Sequence, residues 1–219
     1  MKYLIIDTSS KKLLLSASNG EGEILLCATN IDRYGSSLSA IVMQTLDNLH
    51  LQVSDLDFVG AGVGPGSLTG LRVGLATLKG MILPFDIPVV TFNSLDLIAR
   101  EIDRDDYVVM RKGREGFYYW RRYNKGRPLG ETRFDSIEDI SAAMESPGRP
   151  VYMETVVSKK LPYNLQFQAE ASPTPSSMSQ LVKELFSTGE KVSYTDLVPV
   201  YLQRSIAEIN WDNRHSRET

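Results

Sequence analysis

Residues 62 to 70 read Gly62-Val63-Gly64-Pro65-Gly66-Ser67-Leu68-Thr69-Gly70. Glycines at alternate positions let a backbone turn tightly and come close to a ligand or a neighbouring strand. No Gly-Lys-Ser/Thr follows, so the segment is not a P-loop. Pro65 and a preceding antiparallel hairpin separate it from a dinucleotide fingerprint. Two readings fit the spacing. In one, Gly64, Gly66, Ser67, Thr69 and Gly70 form a phosphate loop that feeds a helix N-terminus, where free N–H groups favour anions. In the other, Gly66 and Gly70 allow close packing in a tight strand-to-helix turn. Asp7-Thr8-Ser9 ends the first apolar run. An Asp at such a turn can hold a hydrated magnesium ion while Thr8 meets phosphate. Taken alone, the residues favour an Asx or Ser/Thr turn, which needs no ligand.

Histidine and cysteine chemistry has little to work with. The chain holds two histidines and one cysteine. His50 lies at a helix end and His215 near the terminus, so no zinc pair at helical spacing can be drawn and no metal ligands are assigned. A Ser-His-Asp triad would have to recruit one of these poorly placed histidines. Cys27 sits in an apolar run, which predicts a small buried hydrophobe.

The segment from Arg111 to Arg133 is basic and aromatic, with Arg121, Arg122 and Lys125 among Phe117, Tyr118, Tyr119, Trp120 and Tyr123. Cations beside aromatics suit RNA phosphates and bases. A strand pair with one buried face explains the same alternation and is favoured for this patch by itself.

These residues must be positioned by regular elements. Lys2–Ile6, Leu13–Ser18 and Glu23–Thr29 read as strands, the last two joined through Asn19-Gly20-Glu21-Gly22. Leu38, Ile41, Val42, Thr45, Leu46 and Leu49 form one helical stripe, with Ser36 or Ser37 as N-cap. A strand over 56–63 leads through the glycine segment into a helix from Gly70 to Leu83, then a strand over 88–91 and a helix to Glu101. Antiparallel strands followed by strand–helix alternation give an α/β, ribonuclease-H-like mixed sheet. The second half predicts strands over 107–111, 116–123, 127–134, 150–153 and 165–169. Helices are predicted from Ser136 to Glu145, Met178 to Thr188 and Ser205 to Trp211, before a frayed tail. The helix from Gly70 is apolar on more than one side and low in profile at Gly70, Gly74, Ala76 and Gly80, which suits burial on both sides, either wholly inside the domain or, the slightly favoured reading, with one side against a partner.

With 219 residues, 42% hydrophobic, the chain can build its own core without disulfides. A net charge of −3 excludes nucleic-acid binding through overall charge, leaving only a local patch. The first apolar run is too short for a signal peptide or membrane span, so a cytoplasmic protein with no membrane association is the expectation.

Ile6-Asp7-Thr8-Ser9, the stretch from Gly64 to Thr77, and Pro88-Val89-Val90 with Ser94-Leu95 resemble the TsaB (YeaZ) family over residues 1 to about 100. The likeness resumes at Pro199-Val200-Tyr201-Leu202-Gln203-Arg204. Lys112-Gly113-Arg114 stands where relatives often carry Asp-Ala-Arg, and Arg33-Tyr34-Gly35-Ser36 where they often carry Arg-His-Ser. The resemblance implies an actin-like (ASKHA) fold of two ribonuclease-H-like halves, the second reduced. Residues 1–101 would form the first half, completed by a returning segment over about 197–211. Residues 102–196 would form the second, and 212–219 a tail.

The resemblance also implies a role in making N6-threonylcarbamoyladenosine at position 37 of tRNA. One enzyme makes threonylcarbamoyl-adenylate, the metal-bearing TsaD transfers the group, and the ATPase TsaE joins them. TsaB is the non-catalytic paralogue that pairs with TsaD. The paired metal-binding histidines of TsaD are absent here, which argues for the partner and not the transferase. The chain is then expected to be a scaffold with no catalytic residues and no cofactor of its own, with ATP or ADP and magnesium at the complex interface. Its partner face would use Leu38, Ile41, Val42, Thr45, Leu46, Leu71, Gly74, Leu75 and Leu78. It would homodimerise when alone and reach tRNA through the complex, with Arg121, Arg122 and Lys125 as candidate contacts. The rivals are a stand-alone ATPase using Asp7 and the glycine loop and, further behind, a peptidase.

Overall fold

The computed structural model describes residues 1–29, 34–114, 116–144, 148–154, 165–189 and 191–202. Strands β1 (Lys2–Asp7), β2 (Lys12–Asn19) and β3 (Glu23–Thr29) form an antiparallel meander. The Asn19 side chain closes its turn by accepting the Glu21 and Gly22 N–H groups, with Gly20 at φ +93°. Helix α1 (Tyr34–Asn48), strand β4 (Phe58–Gly62), helix α2 (Leu68–Ile82), strand β5 (Val89–Phe92) and helix α3 (Ser94–Ala99) follow. β4 pairs parallel with β1 and β5 parallel with β4, which gives the order β3-β2-β1-β4-β5.

The second half repeats this plan. β6 (Tyr107–Lys112), β7 (Phe117–Asn124) and β8 (Arg127–Ser136) are antiparallel. After helix α4 (Ile137–Ala142), strands β9 (Arg149–Met153) and β10 (Leu165–Glu170) add in parallel, giving β10-β9-β6-β7-β8. These two mixed sheets are those of the expected actin-like α/β class.

Helices α1 and α2 cover one face of the first sheet. Leu38, Val42, Leu46, Leu75 and Leu78 pack there on Leu4, Ile6, Leu13, Leu15 and Val59. The other face, with Tyr3, Ile5, Leu14, Phe58 and Phe92, is covered by helix α5 (Pro175–Thr188) through Met178 and Val182. Each such side chain contributes about 1.5–3 kcal/mol. Gly60 lets α5 settle: a Cβ there would lie 2.8 Å from Val182 and 2.9 Å from Ile5.

This corrects the expected boundary at 196. The apolar stripe of α5 fills the first sheet's open face, so the chain returns to that half at Pro175. It stays there, with Val192 bridging Val89, Leu197 in the first core and the Val200 N–H donating to the Val63 carbonyl at 2.9 Å. Two further expectations change. Helix α1 starts at Tyr34, ahead of both proposed caps. Cys27 is exposed, because edge strand β3 turns Ile24, Leu26 and Ala28 toward the helices and Cys27 away from them. The expected terminal helix and tail lie outside the described residues. Among the described residues, no helix is long and apolar enough to cross a membrane.

Candidate functional site

The fold brings the Asp7 turn and the glycine loop together. Both follow adjacent parallel strands, β1 and β4, so their C-terminal ends lie side by side. The Asp7 carboxylate is 3% exposed and accepts three hydrogen bonds: from the Ser9 N–H (2.8 Å), the Ser9 hydroxyl (2.5 Å) and the Ser94 hydroxyl (2.6 Å). The Thr8 hydroxyl donates to the Gly70 carbonyl at 2.8 Å, and the Ser67 N–H donates to the Ser9 carbonyl at 2.7 Å. Ser67 also caps α2 by accepting the Gly70 N–H at 3.2 Å.

The glycines serve close packing. A Cβ on Gly66 would enter the Ser9 carbonyl oxygen, one on Gly70 the Thr8 carbonyl oxygen, and one on Gly74 the Thr8 hydroxyl. Gly64 is at φ +99°, a conformation that disfavours any side chain. Of the expected phosphate-binding residues, Asp7, Thr8, Gly64, Gly66, Ser67 and Gly70 thus converge, with the Asp7 carboxylate engaged by Ser9 and Ser94 and the Thr8 hydroxyl by Gly70. Thr69 faces solvent at the start of α2.

Arg111 completes the site and was counted at the sequence level only as one cation of a basic patch. It closes the apolar run Tyr107-Val108-Val109-Met110 on β6, and a charge ending a strand buried on both faces was the available signal. The side chain donates to the Ser9 hydroxyl (2.6 Å) and the Pro65 carbonyl (2.8 Å), and its other arm pairs with Glu154 at 2.8 Å. Ser94 enters the sequence reading only through the Ser94-Leu95 resemblance, and Glu154 carries no sequence signal.

The expected partner face needs correction. Leu38, Val42, Thr45, Leu46, Leu71, Gly74, Leu75 and Leu78 are buried inside the chain, and Ile41 is half-buried. Their stripes face the first sheet, and the Thr45 hydroxyl donates to the Ile41 carbonyl at 2.8 Å. The outward faces carry Ser39, Ala40, Met43, Gln44 and Asp47 on α1, and Arg72, Ala76 and Gly80 on α2, with Leu83 just beyond. Tyr201 of the returning segment lies over Arg72, its hydroxyl 3.0 Å from the guanidinium Nε.

The candidate tRNA cations are engaged in ion pairs. Arg121 pairs with Asp96 (3.2 Å) and donates to the Gly130 carbonyl (2.9 Å). Arg122 pairs with Asp106 (2.7 Å), and Lys125 lies 3.8 Å from Asp105. The aromatics of β7 are core on both faces, Tyr119 and Tyr123 toward α3, Tyr118 and Trp120 toward α4. Burial pushes the Asp96 carboxyl above its ordinary range, against the opposing hydrogen bond from Tyr123 and the charge of Arg121. Burial also raises the Tyr107 phenol to about 12.

Asp106 titrates the other way. The hydrogen bond from Arg122 holds its carboxyl below the usual value, helped by Arg149. Its depressed folded value means stability that is present above the unfolded value of 3.8 and is lost as pH falls through the folded one. Asp106→Asn is therefore expected to flatten the acid limb of the stability curve below pH 3.8. Urea denaturation at stepped pH on both proteins checks this.

A family model described as TsaD, tRNA N6-adenosine threonylcarbamoyltransferase, matches residues 31–208. The chain belongs to this family. A Mycobacterium leprae protein is 31% identical over 177 residues, covering 80% of this chain and 46% of the relative. A Clostridium botulinum tRNA N6-adenosine threonylcarbamoyltransferase is 24% identical, covering 80% and 58%. The chain thus spans about half the length of these two relatives. A Mycobacterium tuberculosis protein, 29% identical, is covered to 77%. The fold is similar to that of YeaZ from Pseudomonas aeruginosa, with a TM-score of 0.74 at 20% identity, covering 92% of this chain and 99% of that one. This member of the TsaD family has a YeaZ-type fold. Among its described residues no three His, Cys, Asp or Glu side chains gather in a group that could hold a metal ion.

Proposed function

We propose that this chain acts in forming N6-threonylcarbamoyladenosine in tRNA, as a non-catalytic subunit that docks on a TsaD-type transferase. The observation that carries this reading is the Asp7 turn. In a chain of a transferase family, the groups that would meet metal and phosphate are hydrogen-bonded to the glycine loop, to Ser94 and, through Ser9, to Arg111. Chemistry is then left to a partner, and this chain supplies surface. The docking face is the outward side of α1 and α2, where Ala40, Ala76 and Gly80 permit close helix approach and Met43 and Leu83 supply apolar contact. The subunit works in the cytoplasm with a TsaE-type ATPase, reaches tRNA through the complex and pairs with itself when the transferase is absent. ATP or ADP with magnesium belongs at the complex interface.

The test is tRNA modification in a reconstituted mixture of the adenylate-forming enzyme, TsaD and TsaE, with and without this chain, alongside light scattering. A one-to-one complex and modification that requires the chain are expected. Met43→Arg and Ala76→Arg should weaken the complex by about a hundredfold, a loss typical of disrupting an interface centre. Their melting curves should stay unchanged, because both sites face outward. Modification that proceeds equally without the chain, with no complex formed, would overturn the proposal.

A further inference from the structure

Arg111 is an unusual residue to find inside a strand of a core sheet. It is 7% exposed, and its Nε finds no partner among the described residues. A buried ion pair is often no more stabilising than a well-packed apolar replacement. Its value must therefore be sought in what it fixes. The guanidinium joins the two sheets, which no strand pairing connects. One arm donates to the Ser9 hydroxyl, in the turn after β1, and to the Pro65 carbonyl, in the loop before α2. The other arm is held by Glu154, which follows β9. Since β6 and β9 are neighbours in the second sheet, Arg111 and Glu154 form one charged unit of that sheet, clamped onto the first.

We propose that Arg111 is a latch that shuts the second half of the molecule onto the Asp7 turn, and that this turn and the Pro65 loop open together only when the latch releases. The contacts form a chain. The Ser9 hydroxyl that receives Arg111 also donates to Asp7, and the Ser9 carbonyl receives the Ser67 N–H, which ties the turn to the loop. Planar, forked Arg can hold a hydroxyl and a carbonyl on one side while facing a carboxylate on the other. The latch does not depend on the docking role proposed above.

Hydrogen exchange on the full chain reads the latch directly. Arg111→Met keeps the stem and removes every donor. It is expected to raise exchange of the Ser9 and Ser67 amides by about tenfold, as local opening of one cooperative unit. The amides of Leu4–Ile6 and Val59–Ala61, in the sheet behind, should stay at wild-type rates. Glu154→Gln, which leaves the contacts to Ser9 and Pro65 in place, should give a smaller rise at the same two amides, about threefold. If Arg111→Met fails to fold, the Glu154→Gln protein carries the test. Unchanged exchange at Ser9 and Ser67 would overturn the latch. So would an equal rise across the strands, which marks Arg111 as an ordinary contributor to global stability.

Discussion

Gly66→Ala is expected to destabilise the fold by about 3 kcal/mol, the cost of forcing extra volume into a packed site. In a chain of this size that lowers Tm by about 9 °C. Gly66 is not at a positive φ, so alanine's backbone preferences are not offended. The added methyl would meet the Ser9 carbonyl, a backbone atom that cannot swing away and that already holds the Ser67 N–H. Gly70→Ala should behave alike, against the Thr8 carbonyl. Gly80, nearly three turns beyond Gly70 along α2, has no atom within 4 Å of a Cβ position. Gly80→Ala should therefore stabilise the helix by about 1 kcal/mol. Urea unfolding of the three variants checks the set. Equal and small effects at Gly66 and Gly80 would show that the loop does not rest against the Asp7 turn.

The second large effect is expected at Asp96. Its carboxylate accepts from the Tyr123 hydroxyl at 2.6 Å and pairs with Arg121, both on β7, while Asp96 itself sits in the first turn of α3. Asp96→Ala leaves a buried phenol without its acceptor and a mostly buried guanidinium without its carboxylate, a loss of about 3 kcal/mol. Asp96→Asn keeps an acceptor and should lose only about 1 kcal/mol. Thermal melts separate the two variants. Because burial raises the Asp96 carboxyl, its pH contribution is opposite in sign to that of Asp106. Asp96 favours folding below the unfolded value of 3.8, and that contribution declines as pH rises through the folded one.

The strands and helices of the first half were legible because each carries a local signal. The Asn-Gly turn, the stripe of α1 and the stop at Pro84 all act within a few residues. The partner face was misplaced because helical periodicity reports that Leu38, Val42, Leu46, Leu75 and Leu78 are buried but not against what, and the first sheet is wide enough to take them all. The destination of α5 was hidden for the same reason. Its stripe announces a covered face, yet the sheet it covers was completed at Phe92. At the glycine loop, the sequence left phosphate binding and close packing open. Only the position of the Ser9 and Thr8 carbonyls explains the glycines by contact. Arg111, Asp96 and Asp106 act through partners distant in sequence, so composition could register their charge but not its use.

The late return of α5 bears on how the chain is built. As it leaves the ribosome, the first sheet can pair all its strands and take α1 and α2 on one face once α3 has emerged. Tyr3, Ile5, Leu14, Phe58 and Phe92 on the opposite face must wait until the whole second sheet has been synthesised, because Met178 and Val182 come after it. During that interval a nascent chain carries a broad apolar surface, the kind that chaperones bind and that drives aggregation. The first-made half of this chain is thus sealed by a helix made only after the second sheet.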